Sequence, residues 1–180
     1  MSDGLRIRRA TPADADAIAT TVSAGFETYR AFAPEGWRPP DTIELGLGVV
    51  VRLRLPTLRG WVAETEDGKP AGHVTYVPAA DSRMGSDDPS LAHLEQLFVR
   101  PAHFGSGVAS KLLAVAVCDA AASGFEQIRL GTPRDHHRAR RFYEREGWTT
   151  DERPLPEDSM GLVLILYRRA LAGSGSRATA

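Results

Sequence analysis

Residues 91–117, LAHLEQLFVRPAHFGSGVASKLLAVAV, constrain the fold more than any other stretch of the chain. An apolar strand runs into Pro101 and a helix follows; between them Gly105, Ser106, Gly107 and Ala109 put small residues in four of five positions. The first amides of a helix have no intrahelical acceptor and sit at the positive end of its dipole. A turn stripped of side chains leaves those amides open to an anion, because a Cβ would block close approach. The spacing alone fits either a plain tight turn or a seat for phosphate oxygens.

At 180 residues, 42% of them hydrophobic and 25% charged, the chain has enough apolar material for one folded domain and is not a disordered protein. Residues 5–9 read as a short strand. Thr11 caps a helix with Pro12 at its first position and Asp14 and Asp16 in its first turn, extending to about Phe26. Three prolines make 27–40 a loop with a helical turn, and Asp41 caps a second helix to about Leu55. Strands 60–64 and 71–77 form a hairpin about Glu66-Asp67-Gly68-Lys69-Pro70, and a polar loop, 79–90, leads into the strand 91–99.

The order from residue 91 is strand, helix, strand, helix, strand, strand. Val108, Leu112, Val115, Ala116 and Ala120 mark the buried stripe of the first of these helices, with Asp119 at its border, and Gly124 ends it. A strand at 126–132 precedes a helix from about His136 to Glu146, which stops at Gly147. Final strands are expected at 148–153 and 162–167, the last a nearly continuous apolar run suited to the interior of a sheet. The chain divides into one domain over 1–171 and a flexible polar tail over 172–180.

GSGVAS, with Glu126 about 20 residues on, approximates a dinucleotide-binding turn that would take NAD, but only about 60 residues of folded chain follow, too few for the parallel units such a fold needs. A Walker loop is excluded, since no Gly-Lys-Ser or Gly-Lys-Thr follows. Val99, Pro101, Phe104, Gly105, Ser106, Gly107, Val108 and Ala109, with Ala139, Phe142, Tyr143, Glu144, Gly147 and Trp148 downstream, resemble the GCN5-related N-acetyltransferases. The resemblance covers the order of elements from residue 5 to 168 and departs at Phe104, where arginine or glutamine is usual. It implies a single α/β domain whose central mixed, mainly antiparallel sheet is flanked by helices and splayed between two central strands. It also implies acetyl-CoA as acyl donor. The backbone amides of Phe104, Gly105, Ser106, Gly107, Val108 and Ala109 would hold the pyrophosphate. The pantetheine arm would lie along Leu97, Phe98 and Val99 like an added strand, and His136 would stand where relatives have an asparagine touching the cofactor.

Moving an acetyl group from a thioester to an amine needs a free amine, an oxyanion donor and a proton for the departing thiolate, but no enzyme nucleophile. Cys118, the only cysteine, is accordingly read as a small packing residue. By resemblance Tyr143 is the general acid, its hydroxyl aimed at the CoA sulfur. For the base, His93 and Glu95 lie two apart on a strand and so share a face. His93 falls where many relatives carry glutamate, Glu95 would act through water, and some members have no dedicated base. A neutral histidine accepts a proton near pH 7, whereas a carboxylate needs its pKa raised by burial.

The expected activity is acetyl transfer to a primary amine, on a small molecule or a peptide; the competing reading, prompted by Phe104, is an acyl-CoA-binding module with little or no catalysis. Acceptor identity rests with the segment carrying Tyr29, Phe32, Trp37 and Trp61, with loop 79–90 and with segment 152–161. Those aromatics either line an acceptor pocket or fill the core, and Asp81, Asp87 and Asp88 either attract a cationic amine or keep a loop soluble. A formal charge of −1 argues against a nucleic-acid partner. Arg134, Arg138, Arg140, Arg141 and Arg145 form a solvated helix face or attract the 3′-phosphate of CoA. No metal is expected, since His73, His93 and His103 are scattered and neighbouring His136 and His137 diverge by roughly 100° on a helix. No membrane partner is expected: the N-terminus lacks the apolar core of a signal peptide and no run reaches a membrane span, so the expected location is cytoplasmic. The resemblance also implies a homodimer.

Overall fold

Local signals start the first two helices of the chain. The computed structural model describes residues 4–157 and 160–172, so all of the expected flexible tail beyond its first residue lies outside the described residues. Pro12–Asp14 form one turn of 3₁₀ helix that runs directly into α1, Ala15–Glu27. The Asp14 carboxylate accepts from the Thr11 amide at 2.7 Å and from both terminal nitrogens of Arg8 at 2.9 and 2.6 Å. That guanidinium holds the Asp14 pKa down at about 2. Asp41 caps α2, Thr42–Leu53, accepting from the amides of Ile43 and Glu44 at 2.8 and 3.3 Å. The later helices are α3, Val108–Ala122, and α4, His137–Arg145.

Seven strands, β1 Leu5–Arg9, β2 Arg59–Thr65, β3 Pro70–Pro78, β4 Leu91–Val99, β5 Gln127–Pro133, β6 Pro154–Glu157 and β7 Val163–Ala170, form one sheet in the order β1-β2-β3-β4-β5-β7-β6. Every neighbouring pair is antiparallel except β4 and β5, which are parallel. Successive residues of a strand face opposite sides, and β2 divides accordingly: Trp61 and Ala63 join the core under α3, while Val62 joins the core under α1 and α2. Ile18, Val22, Phe26 and Val49 fill the second core; Leu112, Leu113, Ala116 and Ala120 of α3 meet Tyr76, Ala92, Leu94 and Ile128 in the first.

The class, the mixed sheet and the splay agree with expectation; three local readings need correction. No strand spans 148–153: Thr149 makes a single bridge to Arg168, and β6 lies further on, at Pro154–Glu157. The side chains of Thr150 and Asp151 take up the amides of Glu152 and Arg153 at 3.0 Å each, and Glu152 has a φ of 57°, so the chain turns where the pattern suggested extension. Cys118 is exposed on α3 rather than packed, because Leu113 with Ala116 and Ala120 makes the buried stripe. Trp61 fills the core under α3, stacked on Tyr76 with Arg9 4.2 Å above its ring, and so takes no part in an acceptor pocket.

Candidate active site

β4 and β5 pair over only three residues, Leu91 with Gln127, Ala92 with Ile128 and His93 with Arg129. Beyond that point both strands continue, to Val99 and Pro133, without each other, and a cleft of about 1450 Å³ opens between them. The edge of β4 that faces the cleft can be identified from the ladder. Arg100 donates its amide to Ala71 at 2.8 Å and Gly72 stands opposite Val99. Hydrogen-bonded and non-bonded pairs alternate in an antiparallel ladder, so Phe98 and Gln96 turn their backbone groups to β3, whereas Leu97 and Val99 turn theirs into the split. Phe98 instead offers its ring, which meets Phe26 at 5.3 Å and stacks on His73 at 5.9 Å.

A bulge interrupts the same strand. Tyr76 stands opposite Leu94 and Thr75 opposite Gln96, which leaves Glu95 as the extra residue of β4. The core face therefore reads Leu94 and then Leu97, three positions apart, while Glu95 and Gln96 both look toward α1 and α2. Glu95 accepts from Arg52 of α2, at 2.9 Å through Nε and more closely through Nη2. Gln96 meets Nε2 of His73 at 3.0 Å. His93 lies behind them, 8% exposed, with Nδ1 accepting from Arg129 Nε at 3.3 Å. Burial, then the Arg129 and Arg52 charges, hold the His93 pKa at about 4. Arg129 is itself 7% exposed and also donates to the carbonyl of Gly85 at 2.6 Å and the hydroxyl of Ser82 at 3.4 Å.

The glycine turn closes one end of the cleft. Pro101–His103 form a 3₁₀ turn and Gly105 and Gly107 hold φ of 80° and 83°, in the left-handed region that favours glycine. A Cβ at either glycine would meet nothing within 4 Å, so the backbone is bare to the cleft. Gly107 is the N-cap of α3, and the amides of Val108, Ala109 and Ser110 precede the first helical bond, from Lys111 to Gly107 at 3.1 Å. The amides of Phe104 and Ser106 are engaged elsewhere, by Pro101 at 3.1 Å and His103 at 3.3 Å. Phe104, Gly105, Gly107 and Ala109 line the cleft, whereas Val108 is buried beneath and Ser106 turns to the other side of the loop.

α4 forms the facing wall. Tyr143 is 8% exposed, packed against Phe142, Trp148 and Tyr167 at 5.3, 5.9 and 5.9 Å between centroids, yet it borders the cleft. Burial first, and then Tyr29, pushes its pKa well above the usual phenol value. His136, at the N-cap of α4, stacks on Phe32 at 4.6 Å and meets Tyr29 edge-on at 5.2 Å; burial holds its pKa at about 4. Trp37 donates to the carbonyl of Met160 at 2.9 Å, tying the segment before α2 to the segment before β7.

The structure thus gathers Leu97, Val99, Phe104, Gly105, Gly107, Ala109, His136, Tyr143, His93 and Glu95 around one cleft. Asp81, Asp87 and Asp88 do not line it, and Asp88 is occupied by the amide and hydroxyl of Ser90 at 2.9 and 2.6 Å. Arg52 and Arg129 were not singled out by the sequence; the one available hint was a charged residue inside the apolar strand 126–132. Among the described residues no group of three or more His, Cys, Asp or Glu could hold a metal ion, and no helix is long and apolar enough to cross a membrane.

Comparison with solved structures returns the same architecture. A GCN5-related N-acetyltransferase from Kribbella flavida is 21% identical, with a TM-score of 0.72 over 95% of this chain and 100% of that one. The PaiA N-acetyltransferase from Thermoplasma acidophilum, solved in complex with coenzyme A, is 15% identical with a TM-score of 0.69 over 94% and 99%. The yncA protein of Salmonella typhimurium, solved with its cofactor acetyl-CoA, is 21% identical with a TM-score of 0.68 over 98% and 99%. No curated protein matches at the level of sequence. The sequence model of the acetyltransferase (GNAT) family matches residues 23–148, from the middle of α1 through the split strands and the glycine turn to the end of α4, and with that span covered the chain belongs to the GNAT family.

Proposed function

We propose that the protein is an N-acetyltransferase that moves the acetyl group of acetyl-CoA directly onto an amine, with Tyr143 as the proton donor. The observation that carries this reading is that Tyr143, a largely buried phenol, borders the same cleft as the bare amides of the glycine turn and the open edge of β4. The cleft fits the donor: bare glycine backbone and free helix amides suit a diphosphate, and the outward amide and carbonyl groups of Leu97 and Val99 suit an amide-bearing arm. PaiA and yncA were solved with coenzyme A and acetyl-CoA, which supports the same choice. Acetyl-CoA, when bound, supplies an activated acyl carbonyl.

Tyr143 Oη keeps its proton at neutral pH and so is a donor when the C–S bond breaks and the departing sulfur takes up that proton. His93 is a weak base, held near pKa 4 with Nδ1 taken by Arg129. Glu95, paired with Arg52 at the cleft, would orient an ammonium group whose proton passes to water, in keeping with members that have no dedicated base. The acceptor end of the cleft also carries Arg38 and Arg83, neither with a carboxylate partner among the described residues, beside Glu44 and the Arg52–Glu95 pair. That balance favours an amine bearing a negative group over a polyamine.

The test is release of free CoA thiol with a panel of amines. Turnover with amino acids or other anionic amines, lost in Tyr143→Phe with acetyl-CoA affinity retained, supports the reading. Acetyl-CoA binding with no turnover on any amine would establish the acyl-CoA-binding module instead.

A further inference from the structure

Position 104, where relatives carry arginine or glutamine, holds a phenylalanine that faces the cleft, and its ring is not bare. The guanidinium carbon of Arg138, the second residue of α4, lies 3.3 Å from the centroid of that ring. Other arginines of this segment are neutralised: Arg134 by Asp135 at 3.2 Å, and Arg140 by Glu152 at 2.9 Å with a further bond to the Tyr167 hydroxyl at 3.1 Å. Arg138 has no carboxylate or carbonyl partner among the described residues and borders the same cleft as Gly105, Gly107 and Ala109. A guanidinium flat on an aromatic face keeps its N–H donors, which lie in its own plane, free for an anion.

We propose that Arg138 is an anion-binding residue of this cleft: held on Phe104, it presents its N–H groups to the diphosphate that the amides of Gly105, Gly107, Ala109 and Ser110 would hold. The cation missing from the turn is then delivered from α4 by a different route, with the phenylalanine as its platform. The proposal rests on the reading that the cleft takes acyl-CoA. It adds a consequence of its own, that position 104 and position 138 are coupled. With arginine in the turn, the cation on α4 is redundant; with phenylalanine there, it is required.

The test is calorimetric binding of CoA, dephospho-CoA and pantetheine to the full chain and to Arg138→Gln, Phe104→Arg and the double variant, each first checked by its melting curve. Arg138→Gln should weaken CoA and dephospho-CoA alike by about tenfold, the worth of a charge-assisted pair, and leave pantetheine, which lacks the diphosphate, unchanged. Phe104→Arg should restore affinity in the Arg138→Gln background. Loss for CoA but not for dephospho-CoA would assign Arg138 to the 3′-phosphate and overturn the proposal, as would no loss for either or no rescue by Phe104→Arg. Failure of the unaltered protein to bind any of the three would instead overturn the acyl-CoA reading itself.

Discussion

Acid should unfold this protein in a way traceable to one imidazole. His73 lies on β3, 1% exposed, with Nε2 against Gln96 and Nδ1 without a partner among the described residues, and burial holds its pKa at about 4 against an ordinary 6.5. Between those values the unfolded chain takes up a proton that the folded chain refuses, so this contribution to stability is complete above the ordinary value and falls as pH drops toward the folded one. Integrated from about pH 7.5 to about pH 4.5, the loss is about 2.5 kcal/mol, which for a chain of this size lowers Tm by roughly 5–10 °C. His93 and His136, also held at about 4, act in the same direction, so the whole protein falls further than His73 alone accounts for. The Asp14 carboxylate, held at about 2, contributes in full above its ordinary 3.8 and does not enter this window. His73→Leu isolates the effect: it keeps an apolar side chain of similar volume, and Gln96, half-buried at the cleft, can turn its amide to water. Calorimetric Tm values at the two pH values should differ less in His73→Leu than in the original protein, by roughly 5–10 °C. Equal drops in the two proteins would refute the reasoning, for then the ring would be reached by protons without unfolding.

Tyr143→Phe should lower kcat by about 10²–10⁴ with acetyl-CoA affinity unchanged, as loss of a proton donor does; a matched loss of affinity in a binding titration would make the residue a packing one. Gly107→Val forces a β-branched residue to a φ of 83° and should cost about 1–2 kcal/mol of stability in chemical denaturation, with a larger, separate loss of CoA affinity because the side chain projects into the cleft. Retained affinity would show that the turn is only a turn. Arg129→Met removes the donor that holds Ser82 and Gly85 against the sheet, so amide exchange should quicken across 82–85, and the His93 pKa, followed by NMR, should rise as the neighbouring cation is lost.

What the sequence made legible was what is decided within a few residues. Thr11, Pro12 and Asp41 set helix starts with groups that reach only the next few residues, and Gly105 and Gly107 announced the turn because its dihedrals suit few other residues. Tyr143 and the edge of β4 follow from the resemblance alone; the structure puts Tyr143, Leu97 and Val99 at the cleft, and their roles are part of the proposed function. What stayed hidden depends on partners far away in the chain. Glu95 is an extra residue only relative to β3, and Arg52, 43 positions earlier, decides where its carboxylate points. The partnership of Phe104 with Arg138 joins two elements whose approach no local pattern encodes. The misplaced strand near 148–153 failed in the opposite sense: its residues suit extension, and two short side chains capturing nearby amides overrode that preference.

β4 is one link longer than its partner requires. Because Glu95 stands outside the ladder with β3, removing it would leave Leu97 and Val99 on the same side and at the same edge, whereas removing a paired residue such as Phe98 would turn the rest of the strand over. Position 95 is therefore a socket that the sheet does not own. Its occupant answers to α2 and to whatever enters beside it, and it can be exchanged for another chemistry while the scaffold around it keeps its registration.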